Sequence, residues 1–502
     1  MLSVAHIARI SGFTLFQAVC STAVALAIGL AAAFFTARRQ FFGRRFLLSL
    51  SSVPMCIPTL LIALGYIAVW GRAGVCNHLL QYCFDLAEPP LTFLYSLGGI
   101  IIAQGFYNFP LVMATVGDSW SRLPPEEAAA ARLLGASEWR IFRTITLRQL
   151  ASAIVSACIP VFLFCFFSFM IVLLFGGVGC TTLEVELYRA ARSQPDFAHA
   201  AGIAVTETVT ALAIVAAYSA ATERKTKRGL QASVSIRLPL CGAGERVAFS
   251  LFSLCITVFF LAPLFGIVWN ALTSSRGALT FATLAHVFNS KGFFPAIRGT
   301  LLTASATGTL CALIAFCYAA LLRSYEGTPR AATKTARLVA FTLRTVPLLP
   351  MAISSVVLGV CLTALVRRGN TVLLIAAQTA LFWPFAFRQL FAQLSKIPPQ
   401  TLDAARLFAK HRYDTLLGLY LPCSARGLLS AAGFCFAISA GDTTLPLVLA
   451  LPQFNTLSLF TYRLAGAYRF HEACAAGMLL ATLCAVVFAV ATAIKKEKSH
   501  EC

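Results

Sequence analysis

The side chains that could carry out chemistry are few in this sequence, and their spacing matches no catalytic or metal site. The 17 cysteines include no C-x-x-C pair, the spacing typical of structural zinc sites. The pattern G-x-x-x-x-G-K-[ST], whose backbone amides bind nucleotide phosphates, does not occur. No nucleophile and base are spaced in a way that suggests covalent catalysis. The sequence therefore predicts a protein that is not an enzyme and that itself binds no cofactor and no metal.

Three polar residues within apolar runs are candidate contacts for a bound molecule: Asp442, Ser168 and Asn108. A carboxylate is costly in an apolar membrane interior, where it usually faces a cavity or a partner. Asp442 could therefore contact a cationic substrate, or it could be a hydrogen-bonded carboxylate that holds helices together. Ser168 is its counterpart in an internal repeat described below, and Asn108 more readily faces a neighbouring helix.

The elements that must position these residues are membrane helices. The chain has 502 residues, of which 59% are apolar and only 12% charged, whereas about a quarter are charged in soluble domains. Apolar runs of about 20 residues recur along the chain, and in lipid each run must satisfy its own backbone amides as a helix. We predict an all-α polytopic membrane protein with about 11 transmembrane helices. These are expected at 14–37, 46–70, 91–116, 151–175, 200–221, 247–272, 297–322, 338–366, 371–393, 424–449 and 473–494.

The formal net charge of +21 is explained by membrane orientation better than by nucleic-acid binding. Lys and Arg accumulate on the cytoplasmic side of membrane proteins. If the N-terminus is outside, the basic residues after the first helix, both polar loops described below and the C-terminus with Lys495, Lys496 and Lys498 all lie inside. We therefore expect a cytoplasmic C-terminus and no nucleic-acid partner.

Two similar polar loops interrupt the apolar runs, at 123–150 and, 274 positions later (397 − 123), at 397–424. At this offset Pro124 matches Pro398, Pro125 matches Pro399, Arg132 matches Arg406 and Leu147 matches Leu421. The offset also holds outside the loops, where Pro110 matches Pro384, Leu183 matches Leu457 and Tyr188-Arg189 matches Tyr462-Arg463. Both copies lie on the same side in the predicted topology, so the repeat is parallel rather than inverted. We predict a first half at 1–222, a basic cytoplasmic linker at 223–246 and a second half at 247–502.

The paired loops resemble the cytoplasmic "EAA" loop of binding-protein-dependent ABC importer permeases. The positions of that pattern are held in the first loop by Ala130, Ala131, Gly135, Ile145 and Leu147, with Glu127 just upstream, and in the second by Asp403, Ala404, Ala405, Ala409, Leu421 and Pro422. Each copy departs from the pattern, because the first lacks the acid at its usual place and the second has Ala409 in place of the turn glycine. Small residues let a short helix seat closely in a groove of a partner protein.

This resemblance implies a type I ABC importer permease fold in the bacterial cytoplasmic membrane. It implies that each loop docks on a cytoplasmic ATPase subunit, expected as a dimer, and that a periplasmic or lipid-anchored binding protein delivers the substrate. The alternative for the loops is an amphipathic helix lying on the lipid bilayer.

A finer resemblance, to the two-halved permeases of thiamine importers, covers most of the chain. It rests on segments such as SLGGIIIAQGFYNFPLVMA at 96–114 and SAGDTTLPLVLALPQFNTLSLFTYRLAGAYR at 439–469. It implies that the substrate is thiamine or a thiamine phosphate. Ferric-iron permeases share the two-halved architecture and are the first alternative. A secondary transporter that works without an ATPase is the second.

Overall fold

The structure is a computed structural model. It describes residues 4–50, 57–177, 179–192, 197–223, 238–239, 242–274, 278–326, 339, 342–343, 345–366, 369–450 and 454–493. Within these residues ten helices are long and apolar enough to cross a membrane. The predicted class, an all-α polytopic membrane protein, is confirmed.

The helices and strands follow the chain in two similar series. In the first series the helices are α1 Val4–Arg38, α2 Arg44–Ser49, α3 Thr59–Trp70, α4 Val75–Phe84, α5 Leu97–Ser121, α6 Glu126–Leu133, α7 Glu138–Ile141, α8 Leu147–Phe166, α9 Met170–Phe175, α10 Leu183–Arg192 and α11 Phe197–Glu223. In the second they are α12 Ala243–Ile256, α13 Ala262–Leu272, α14 Ala282–Phe288, α15 Phe293–Glu326, α16 Ser355–Leu365, α17 Thr371–Leu394, α18 Pro399–Phe408, α19 Arg412–Thr415, α20 Leu421–Gly441, α21 Thr444–Leu449, α22 Leu457–Gly466 and α23 Phe470–Ala493. Two short strands, β1 Arg39–Gln40 and β2 Leu238–Pro239, pair in parallel.

The span predicted at 338–366 differs from the structure. Its described part contains a 3₁₀ segment, Val346–Ala352, followed by the 11-residue α16, which is too short to count among the ten spans. Pro347 and Pro350 account for the interruption, because proline lacks the amide hydrogen that an α-helix needs. Other boundaries shift by several residues; the span predicted at 91–116, for example, is α5, Leu97–Ser121.

By its contacts the chain divides into two compact units, Met1–Pro54 with Thr59–Trp269, and Met55–Pro58 with Asn270–Cys502. This division differs from the predicted one, since α12 and most of α13 belong to the first unit. The reason is side-chain packing: the Phe260 ring lies edge-on to Phe109, and Arg39 forms an ion pair with Glu245. Residues 224–237 of the predicted linker lie outside the described residues.

The core of the first unit is formed where α1 packs on α5 and α8. The backbones of α1 and α5 approach so closely that a Cβ on Gly105 would lie 2.5 Å from Cγ1 of Val24. Small residues at such crossings are typical of membrane helices, because close van der Waals packing must replace the hydrophobic drive that water provides. The second unit has the corresponding arrangement of α15, α17 and α20.

The two units repeat one another in detail. The hydroxyl oxygen of Thr14 in α1 accepts a hydrogen bond from the amide of Leu183, at 3.0 Å. The hydroxyl oxygen of Thr300 in α15 accepts from the amide of Leu457, at 2.7 Å. In both units a buried threonine on the long first helix therefore holds the start of the short helix α10 or α22.

Two spans predicted as single helices are interrupted. The span predicted at 151–175 breaks between α8 and α9, and the span predicted at 424–449 breaks between α20 and α21. The second break has a clear cause. Asp442 directly follows α20 in an extended conformation, and its carboxylate accepts hydrogen bonds from the first amides of α21, as an N-cap residue does.

Candidate functional site

The candidate site consists of two helix–turn–helix loops, one in each unit. Loop 1 is residues 123–150 and loop 2 is residues 397–424, the segments singled out in the sequence. In each, a short helix (α6 or α18) is followed by a turn, a single helical turn (α7 or α19) and a long membrane-length helix (α8 or α20).

Loop 1 turns through a glycine. Gly135 has a φ of +80°, in the left-handed region that glycine enters without strain. The Gly135 amide donates to the carbonyl of Arg132 at 2.9 Å, and the Ala136 amide donates to the carbonyl of Ala131 at 3.0 Å. This pair of bonds is the Schellman arrangement, which satisfies carbonyls left over at the end of α6. The predicted role of Gly135 as the turn residue of loop 1 matches this geometry.

Polar side chains then fix the shape of loop 1. The Arg132 guanidinium forms two hydrogen bonds with the Glu138 carboxylate across the turn. The bonded carboxylate raises the pKa of Arg132, because it stabilises the charged guanidinium. Glu127 on α6 accepts a hydrogen bond from Gln149 on α8, at 2.7 Å. The short helix α6 is thus tied to α8 near its start and to α7 near its end.

Loop 2 turns at the equivalent position without glycine and with a different backbone conformation. Ala409 has an extended conformation (φ −76°, ψ 124°), so a Cβ fits there without strain. The turn is held instead by Asp414, whose carboxylate accepts from the amides of Lys410 and His411, both at 2.8 Å. The position equivalent to Asp414 in loop 1 is Arg140, which cannot accept such bonds.

Loop 2 is also anchored to α15. Arg406 on α18 donates to the carbonyl of Ser324 at 2.9 Å, and Arg323 donates to the carbonyl of Ile397 at 3.1 Å. Arg406 is the repeat counterpart of Arg132. The arginine at this position therefore bonds to a membrane-length helix in the second unit and to its own loop in the first.

Each loop continues into its membrane-length helix through a π-turn, a helical turn that contains one residue more than a turn of α-helix. The Leu147 amide donates to the carbonyl of Phe142, and the Leu421 amide donates to the carbonyl of Leu416. The two π-turns stand at the same offset of 274 positions (416 − 142). Such turns occur frequently at functional sites.

Each short helix is anchored by one buried residue and exposes an apolar patch. The buried residues, Ala128 and Leu402, occupy equivalent positions. The exposed large apolar residues are also equivalent. They are Leu133 (89% exposed), Leu134 (88%) and Trp139 (70%) in loop 1, and Leu407 (85%), Phe408 (88%) and Tyr413 (74%) in loop 2. We call these two sets the loop patches.

The loop patches lie outside the bilayer-length segments, apart from Trp139 and Tyr413, which stand at the first residues of two spans. Exposed clusters of large apolar side chains on a polar segment mark interaction sites. The sequence reasoning pointed to the small residues and missed these larger ones. The signal was available, because a large apolar residue stands at all three positions in both copies.

The predicted loop residues divide by exposure. Exposed residues are Glu127, Ala130, Gly135, Asp403, Ala404 and Pro422, and half-buried residues are Ala131, Ile145, Leu147, Ala405, Ala409 and Leu421. Among the half-buried residues, Leu421 packs against the core of the second unit.

Asp442, the sharpest candidate for the transport path, is engaged in a network within the second unit. One carboxylate oxygen accepts from the amides of Thr444 (3.0 Å) and Leu445 (3.4 Å). The other accepts from the side-chain amide of Gln378 at 3.1 Å. Its backbone carbonyl accepts from the Ser458 hydroxyl at 2.8 Å. Of the two alternatives for Asp442, this geometry favours the carboxylate that holds helices together.

Asn108 and Ser168 belong to the first unit, and both are buried. The Asn108 side-chain amide donates to the carbonyl of Gln104 at 3.0 Å and lies 3.6 Å from the sulfur of Cys165. Ser168 lies in the break between α8 and α9. These two residues are therefore near a helix crossing in the first unit, while Asp442 is in the second.

The chain is similar to one protein family, to several individual proteins and, more weakly, to a solved structure. Residues 25–224 match the family described as "Binding-protein-dependent transport system inner membrane component". The chain is 25% identical to the thiamine transport system permease protein ThiP of Escherichia coli (strain K12), over 97% of this chain and 88% of that protein. It is 26% identical to ThiP of Brucella abortus (strain 2308), over 96% of this chain and 87% of that protein. Among solved structures, a bacterial alginate ABC transporter in complex with a periplasmic protein is similar with a TM-score of 0.41 and 15% identity, covering 50% of this chain and 93% of that one.

Proposed function

We propose that the chain is the permease of a binding-protein-dependent ABC importer, through which thiamine or a thiamine phosphate enters the cell. The match of residues 25–224 to the family of inner-membrane components supports the type of transporter. The single observation that supports this substrate is the similarity to thiamine permeases, which spans 97% of this chain and so includes both units. A match confined to the loops would suggest only that the chain is an importer permease, without indicating its substrate.

Two soluble partners complete the proposed machine. A binding protein, periplasmic or lipid-anchored, delivers the substrate on the outer side. A cytoplasmic ATPase, as a dimer, hydrolyses ATP, since this sequence lacks the phosphate-binding loop that a nucleotide site requires. The C-terminus and both loops lie on the cytoplasmic side, as the distribution of Lys and Arg indicates.

The loop patches are the proposed contacts with the ATPase. Each presents three large apolar side chains beside a short helix, the form that helix-in-groove recognition takes. Each loop is joined to a membrane-length helix through a π-turn and is tied down by polar bonds, such as that from Gln149 to Glu127. A displacement of the ATPase surface is thereby passed to α8 and α20.

Substitution of one residue in each patch tests the docking. Leu134→Glu with Phe408→Glu places a carboxylate in each contact. Centrally buried apolar contacts contribute about 2 kcal/mol or more, so each change should weaken the complex by roughly 30-fold or more. The double variant is expected to lose the ATPase during affinity co-purification. Tyr82→Glu is the matched control, because Tyr82 is equally exposed (87%) on α4. With the N-terminus outside, α4 follows the second predicted span, 46–70, and so lies on the outer side in the predicted topology.

If the double variant keeps its ATPase, docking by the patches is wrong, and the alternative of loops that lie on the bilayer gains support.

The substrate is tested in proteoliposomes that contain this chain, its ATPase and its binding protein. We expect ATP-dependent accumulation of labelled thiamine, reduced by unlabelled thiamine or thiamine phosphates and unaffected by ferric iron. Accumulation of iron in place of thiamine would establish the ferric-iron alternative. Uptake that persists without ATP and without the ATPase would establish a secondary transporter.

A further inference from the structure

Each unit contains a buried glutamine at the same position of the repeat, Gln104 in α5 and Gln378 in α17, and the two have very different surroundings. The Gln378 side chain is fully bonded. Its oxygen accepts from the hydroxyls of Ser439 (2.7 Å) and Thr307 (3.4 Å), and its amide nitrogen donates to the Asp442 carboxylate at 3.1 Å. Both polar atoms of the Gln378 side chain thus have partners within the second unit.

In the first unit the corresponding residues are smaller or weaker hydrogen-bonding groups. Ser168 replaces Asp442 and Cys165 replaces Ser439, both at the offset of 274. Ser21 replaces Thr307, at the offset of 286 (300 − 14) that relates α1 to α15 through Thr14 and Thr300. The carboxylate is therefore replaced by a shorter hydroxyl, and the strong hydroxyl donor by a thiol, which donates weakly.

Unpartnered polar atoms gather at this position of the first unit. The side-chain nitrogen and oxygen of Gln104 have no hydrogen-bond partner among the residues that the structure describes. The hydroxyl of Ser21 has none there either. The side-chain oxygens of Gln17 and Asn108 are likewise without a partner in the described part of the chain. All four side chains are at most 2% exposed.

The contacts of Cys165 bring these groups together. Gln17 on α1 donates through its nitrogen to the carbonyl of Cys165 at 2.8 Å, which places the Gln17 side chain where α1 meets α8. Asn108 on α5 lies 3.6 Å from the sulfur of Cys165 and also donates to the carbonyl of Gln104. Ser21 is one helical turn from Gln17 on α1, so it shares that face. We call these residues, Gln17, Ser21, Gln104, Asn108 and Cys165, the α1–α5–α8 cluster.

The polar atoms of the cluster would be energetically costly if they made no hydrogen bonds. A buried polar group without a hydrogen bond costs about 1–3 kcal/mol, and the cluster has five such atoms. The summed cost is comparable with the whole free energy of unfolding of a typical domain, about 5–15 kcal/mol. Something must therefore bond to these atoms in the folded protein.

The chemistry of the atoms identifies the partner. Four of them are oxygens that can accept a hydrogen bond, so an anion would be repelled. The Gln104 amide nitrogen can only donate, and a bare cation would leave it unbonded and facing like charge. A small neutral molecule that both donates and accepts fits the whole set. We propose that the α1–α5–α8 cluster is a binding site for a group of internal water molecules, at the place where the second unit has the Asp442 carboxylate.

The proposal is tested by hydroxyl-radical labelling of the full chain in lipid nanodiscs, with H₂¹⁸O exchange. Radicals formed from a bound water react with side chains beside it, even where bulk solvent does not reach. Cys165 and Cys435 form a matched pair, because both thiols are 0% exposed and lie in corresponding long helices. We expect oxidation of Cys165 to be severalfold faster than that of Cys435, with ¹⁸O incorporated after exchange.

A variant of the first unit provides the second arm. Ser168→Asp returns the carboxylate partner to Gln104 and is expected to lower the oxidation of Cys165 to the level of Cys435. Equal and low oxidation of both cysteines in the unaltered protein would overturn the proposal, and this result does not depend on the folding of any variant. Fast oxidation of Cys165 that Ser168→Asp leaves unchanged would also overturn it, because the water would then be elsewhere.

Discussion

Replacing Asp442 with alanine separates the two roles that a carboxylate at this position can have. Asp442 caps α21 through bonds to the amides of Thr444 and Leu445, and it is the partner of the Gln378 side-chain nitrogen. Asp442→Ala removes all three bonds at once. Asp442→Asn keeps a side-chain oxygen for the cap, and asparagine is as good an N-cap residue as aspartate.

The expected magnitude follows from these bonds. Loss of an N-cap costs about 1 kcal/mol. The Gln378 amide nitrogen loses its shorter bond and keeps only the bond to the carbonyl of Ser439 at 3.4 Å, which costs about 1 kcal/mol more. Asp442→Ala should therefore destabilise the second unit by about 2 kcal/mol, and Asp442→Asn should cost less, because the cap remains.

The assay combines thermal unfolding of the chain in nanodiscs with substrate uptake per folded molecule. We expect a clear fall of the unfolding midpoint for Asp442→Ala, a smaller fall for Asp442→Asn, and uptake by Asp442→Asn that remains measurable. Ser168→Ala, at the equivalent position of the first unit, is the matched control and should change the midpoint least. If Asp442→Ala unfolds at the unaltered midpoint but abolishes uptake, the carboxylate serves the substrate and the structural role is refuted.

Three further predictions concern the loops and the repeat. Gly135→Ala places a Cβ in the left-handed region, at a cost of about 1 kcal/mol, and should speed amide hydrogen exchange in loop 1. Ala409→Gly should leave the turn of loop 2 in place. Equal effects of the two changes on exchange would contradict the different turn geometries. Asp414→Ala frees two amides and should speed exchange in loop 2 alone; protection that survives would show that the carboxylate is dispensable. Thr14→Val and Thr300→Val each leave a buried amide without an acceptor and should lower the unfolding midpoint by similar amounts, corresponding to about 1–3 kcal/mol; a fall in only one would argue against the equivalence of the two threonines.

Hydropathy was sufficient to predict the class of fold and most of the long helices, because a membrane-length helix is specified by the mean character of about 20 residues. It was insufficient where a single residue determines the backbone. The break at Asp442 lies inside an apolar run, and only the local pattern of an N-cap residue before Thr443 and Thr444 indicates a new helix start.

The grouping of α12 with the first unit was not predictable from the sequence for a different reason. Hydropathy and charge identify spans and linkers, but they carry no information on which helices pack together. That choice depends on side-chain contacts between residues far apart in the chain, such as Arg39 with Glu245 and Phe109 with Phe260.

The positions of the two loops were predictable, since a repeated polar segment stands out in an apolar chain. Their internal construction was not. The departures from the family pattern, Ala409 for glycine and the shifted acids, indicated that the loops differ, and the structure supplies the reason: Asp414 holds in loop 2 what Gly135 permits in loop 1.

The π-turns at Phe142–Thr146 and Leu416–Tyr420 determine the orientation of each loop about the axis of the long helix that follows it. One residue advances an α-helix by about 100° around its axis. Deletion of the extra residue would rotate the loop by that angle about the axis of the long helix. Trp139 or Tyr413 would then point in a different direction around that axis. A one-residue deletion at 142–146 would therefore re-aim an otherwise intact loop, and the same deletion at 416–420 would re-aim its counterpart through the same angle.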